Sequence, residues 1–125
     1  MKLHFFLLSL VLLISGCYQA QLDCKSFKTG TYLSEITIQG KKQFTKSIRT
    51  DKMVIETYKG KTDTASIRWV NDCEFILTKL HPKSMAEQNA VSIRIRSTTK
   101  NSYTFDYGIV GNPHREQGKA TKLAN

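Results

Sequence analysis

The sequence predicts an all-β domain, a small antiparallel meander of about seven strands in a closed or nearly closed barrel, with one short helix between strands five and six. Three observations carry that expectation. Apolar and polar residues alternate in short runs, as they do where successive side chains face opposite sides of a sheet. Glycine, asparagine and aspartate recur between the runs, where tight turns need positive φ or local side-chain hydrogen bonds. A single stretch carries a helix-start pattern.

Strands are expected over 30–38, 44–49, 53–58, 64–70, 74–80, 91–97 and 102–110. The breaks between them are Gly40-Lys41-Lys42, Thr50-Asp51-Lys52, Lys59-Gly60-Lys61, Asn71-Asp72 and Lys100-Asn101. Pro82 lacks the backbone donor a strand needs and stops the fifth one. Behind it, Ser84 and Glu87 have capping-box spacing, so a turn or two of helix is expected there. The fourth and fifth strands fix their own register. A two-residue Asn71-Asp72 turn would set Trp69 against Glu74, whereas drawing Cys73 into the loop pairs Trp69 with Phe75 and Ile67 with Leu77. The second arrangement keeps apolar side chains on one face, and it leaves Cys73 at a bend from which it can reach Cys24. Short sequential connections favour a meander, and closure hides the edge strands.

The N-terminus precedes this pattern and does not belong to it. Met1 and Lys2 lead into an apolar run from Phe5 to Ile14, broken only by Ser9, and then Ser15 and Gly16. This is the form of a signal peptide; a membrane-spanning helix needs about 20 apolar residues. Ile14-Ser15-Gly16-Cys17 fits a lipobox, which makes Cys17 the expected lipidation site. The rival is cleavage after Ala20, where Tyr18 is bulky for a position that wants a small residue. The chain then divides into a signal peptide over 1–16, a tether over 17–26, one β domain over 27–110 and a flexible basic tail over 111–125, where the alternation is lost.

Of three cysteines, Cys17 is lipid-capped or removed, which leaves Cys24 and Cys73 as an even pair in an oxidising compartment. A disulfide is expected, with two reduced buried thiols as the alternative. Closing a loop of roughly 50 residues stabilises by up to ~4 kcal/mol in the chain-entropy account. A composition of 40% hydrophobic and 23% charged residues is that of a globular domain. The formal net charge of +9 equips an exported surface for anionic lipid, acidic polysaccharide or an acidic envelope protein, or it serves solubility alone.

Several segments resemble a known group. Asp23-Cys24-Lys25-Ser26-Phe27-Lys28-Thr29-Gly30-Thr31-Tyr32, the Ile48-Arg49-Thr50-Asp51 turn with Ile55-Glu56, and Trp69 through Leu77 are similar to small secreted or lipid-anchored bacterial envelope proteins of unestablished function. The likeness covers about half of the mature chain, and its motifs are structural in character. A DNA topoisomerase IV activity, attributed to some of that group, does not suit an exported domain with no room for a cleavage core or an ATPase.

Chemistry-bearing constellations are sparse. His81 and His114 lie beside prolines, outside any catalytic motif. No metal-ligand spacing occurs, and Asp72, Cys73 and Glu74 alternate faces as strand neighbours. Gly60-Lys61-Thr62 fails as a phosphate loop because Ile55 stands where the first glycine is required. No catalytic residue, metal site or cofactor is therefore expected. Tyr103, Phe105, Tyr107 and Ile109 alternate as a core face, and export makes nucleic acid an unexpected partner. Arg94 and Arg96 share one face of the sixth strand; with Arg68 nearby they form a candidate anion-binding stripe, the alternative being a solvated outer face.

These readings favour a non-enzymatic envelope lipoprotein that binds or stabilises another envelope component. A lipocalin-like small-ligand carrier or sensor is the second reading, and an inhibitor of a secreted enzyme the third. Interior volume separates the first two: large inward aromatics would fill so small a barrel, whereas a carrier needs a cavity of about 300 Å³ or more.

Overall fold

A computed structural model describes residues 21–125, so the expected signal peptide and the expected lipidation site Cys17 lie outside the described residues. Eight strands form a closed, wholly antiparallel meander in chain order: β1 (Gly30–Ile38), β2 (Lys41–Arg49), β3 (Met53–Tyr58), β4 (Lys61–Asn71), β5 (Glu74–Lys79), β6 (Val91–Thr98), β7 (Ser102–Ile109) and β8 (Glu116–Ala124). Three connections are two-residue turns, one of them Asp72-Cys73 between β4 and β5. Gln39-Gly40 and Lys59-Gly60 take positive φ at both positions (51° and 75°, 49° and 76°), the hairpin geometry whose twist matches the flanking strands.

The eighth strand corrects the expectation of about seven strands and of a flexible tail over 111–125. β8 pairs with β7 and with β1 and so closes the barrel. Its inward positions are small: Gly118 lies opposite Phe105, and Ala120, fully buried, lies opposite Tyr103. A Cβ on Gly118 would come within 2.5 Å of the Phe105 ring and 2.8 Å of Ile36. Here β8 is small because its neighbours are large, and no hydrophobic alternation remains for a sequence pattern to detect.

The expected β4–β5 register is present, with Trp69 opposite Phe75 and Ile67 opposite Leu77, and a bulge follows at Trp69/Asn71. Cys73 is joined to Cys24 at a Cα separation of 5.2 Å. The tether over 17–26 needs correction in its last part. Cys24 is buried, and the 3-10 turn Lys25–Phe27 seats Phe27 in the core against Tyr103, with ring centroids 5.1 Å apart. The helix expected between strands five and six is one 3-10 turn, Ala86–Gln88, started by a Glu87 N–H bond to the Ser84 hydroxyl at 3.2 Å.

The core is therefore lopsided. Phe27, Tyr32, Tyr103, Trp69 and Phe75 crowd the end at which the chain enters, where the disulfide also lies. At that end the turn is fastened by Lys122 Nζ on the Ser26 carbonyl at 2.8 Å and by the Asp23 N–H on the Thr98 hydroxyl at 3.0 Å.

Candidate functional site

Towards the other end the barrel interior holds a cavity of about 560 Å³. Its two walls differ in chemistry. Ser34, Thr45, Ser47, Arg49 and Glu56 from β1, β2 and β3 make a polar wall, and the register joins them, with Ser34 opposite Thr45 and Ser47 opposite Glu56. Phe75, Leu77, Ile93, Phe105, Tyr107 and Ile109 from β5, β6 and β7 make an apolar one. On β2 the usual pattern is inverted: Phe44 and Ile48 point outward, 49% and 47% exposed, while Ser47 and Arg49 are buried. A strand that turns its polar face into a barrel is shaped for something other than packing.

Arg49 closes the deep end of the polar wall. It is 6% exposed, and its guanidinium lies over the rings of Tyr32 at 4.3 Å and Phe75 at 4.6 Å. Nη1 donates to the Phe27 carbonyl at 2.7 Å and Nη2 to the Tyr103 hydroxyl at 2.8 Å, while buried Nε has no partner. Burial drives the Tyr32 phenol up to about 12 against the opposing pull of Arg49, with Tyr103 adding to the rise, so Tyr32 stays neutral.

At the mouth, Lys79 Nζ bonds Glu87 at 2.8 Å and Asp63 at 3.3 Å, and Glu87 also accepts the Lys83 N–H at 2.6 Å. These contacts hold the β5–β6 loop over the opening. Glu56 sits between mouth and deep end. Desolvation raises its carboxyl from the ordinary value, with the negative charge of Asp63 adding to the rise, against the opposing charges of Lys79 and, more weakly, Arg49. A carboxyl whose folded pKa is raised favours the folded state at low pH, and this advantage is lost as pH rises through the folded value. Glu56→Gln is accordingly expected to raise the melting temperature at pH 7 and to leave it nearly unchanged at pH 4; equal shifts at both pH values would show that charge is not the cause.

Of the three candidate arginines, Arg94 and Arg96 are engaged with protein carboxylates. Arg94 Nε donates to Glu74 at 2.9 Å, and Arg96 and Arg115 both bond Asp106. Arg68 lies across from Ile76 and Ile76 from Ser92, on the same outer face as Arg94 and Arg96. His114 contacts Glu116 at 2.7 Å in the open, and His81 is exposed in the β5–β6 loop. Among the described residues no group of three or more metal-ligating side chains occurs, and no helix is long and apolar enough to cross a membrane.

Sequence reasoning passed over Arg49, Glu56 and Lys79 as chemistry-bearing residues. The available signal was the polar face of 43, 45, 47 and 49, which in a barrel with no edge has to face either solvent or a cavity. The chain matches no family model, no curated protein and no solved structure.

Proposed function

We propose that this domain is a small-ligand binding protein that holds an amphipathic molecule within its barrel, exported to the cell envelope and tethered there through lipid on Cys17. The observation that carries the reading is the cavity of about 560 Å³ inside a closed barrel. Ligand sites typically occupy ~300–1,000 Å³ and are mainly apolar with a few placed polar groups, as here. A barrel serving only as a docking surface would favour a filled interior; here aromatic side chains fill one end, and Phe105 and Tyr107 line a hollow at the other. The binding of another envelope component remains compatible with this role, as delivery or presentation of the ligand.

Blocking the cavity tests the reading. Leu77 lines the cavity on the apolar wall, and Leu77→Trp is expected to weaken uptake of the neutral dye N-phenyl-1-naphthylamine by tenfold or more, with little change in melting temperature. Ile55→Trp, on the outer face of β3 where Ile55 is 41% exposed, is expected to bind like the unmodified protein. Failure of the unmodified protein to take up the dye, or equal uptake by Leu77→Trp, would defeat the proposal.

A further inference from the structure

We infer that the barrel takes an anionic amphiphile, one carboxylate-type head on an apolar body, with the head at Arg49 and the body along the β5–β7 wall. The inference rests on the cavity reading above and names the class of its ligand. Arg49 is a cavity-lining cation buried to 6% exposure, and both of its hydrogen bonds go to neutral acceptors, the Phe27 carbonyl and the Tyr103 hydroxyl. A guanidinium carries five N–H donors, and Nε is left with no partner. No carboxylate among the described residues lies within ion-pair distance of Arg49, whereas Arg94, Arg96 and Arg115 each pair with one.

A buried charge without a counter-ion is costly, and aromatic faces offset only part of that cost. The other cation of the cavity is already matched, since Lys79 is held by Glu87 and Asp63. Glu56 is the remaining ionisable group on the polar wall, two residues along β3 from Val54, the partner of Arg49, and burial there disfavours its charged form. The deep end is thus cationic and the facing wall greasy. An anion with an apolar body supplies the missing counter-charge and covers that wall at once, where a neutral apolar ligand would leave the guanidinium unmatched.

The test compares two probes that differ only in head charge, ω-dansylaminoundecanoic acid and its methyl ester, titrated by fluorescence into the purified mature domain. The acid is expected to bind at least tenfold tighter than the ester, and Arg49→Gln to bring the two within about twofold. Equal affinity of acid and ester in the unmodified protein overturns the inference and leaves the cavity reading standing; binding of neither probe overturns both. A second measurement needs no variant. The carboxyl of dodecanoic acid, followed through a ¹³C label on its carbon, is expected to stay ionised when bound at a pH where the free acid is protonated, and a bound carboxyl that is protonated at neutral pH overturns the inference.

Discussion

Replacing Cys24 and Cys73 together with alanine is expected to lower the unfolding free energy by about 2–5 kcal/mol. The bridge spans 49 residues and joins the segment before β1 to the β4–β5 bend, so its loss frees the unfolded chain and unpins the 3-10 turn that seats Phe27. Cys24 is itself 2% exposed within the aromatic cluster, so the alanine variant also loses packed volume there. Urea denaturation of the two proteins measures the difference. A loss below about 1 kcal/mol would show that packing alone holds the turn in place.

Phe75→Ala is expected to cost about 3–5 kcal/mol, more than Trp69→Ala at the neighbouring position. Phe75 is 1% exposed; it packs with Val54 and Ile67, stacks under the Arg49 guanidinium and meets Trp69 at 4.7 Å. Its removal enlarges an existing cavity and takes from Arg49 one of the faces that stabilise its charge. Trp69 is only half-buried, with Lys28 over its ring, so truncation there leaves a groove open to water instead of a void. Equilibrium denaturation of both variants decides the order, and a costlier Trp69→Ala would move the centre of the core to the disulfide bend.

What was legible in the sequence was whatever had large side chains at period two. The first seven strands and the β4–β5 register follow from such residues, because a slip by one position would turn Phe75 and Trp69 out of the core, while the Cys24–Cys73 bridge follows from cysteine parity. The interior site was less legible. Arg49 looks like a turn residue in sequence, and its burial becomes apparent only when Tyr32, Phe75 and Tyr103 from three other strands are seen around it. The arginines of β6 were conspicuous in sequence, yet Glu74 and Asp106 occupy them across neighbouring strands.

By itself the sequence determined an all-β meander, one disulfide pair and the inward set of aromatics, since periodicity and cysteine parity act locally or in pairs. Only the tertiary structure decided that residues 116–124 are the closing strand and that the barrel is filled at one end and hollow at the other. The physical reason is the same in both cases. Gly118 and Ala120 are inward because Phe105 and Tyr103 need their space, and Ser47 and Arg49 are inward because closure puts β2's polar face on the lumen; complementarity across strands leaves no trace in either strand alone.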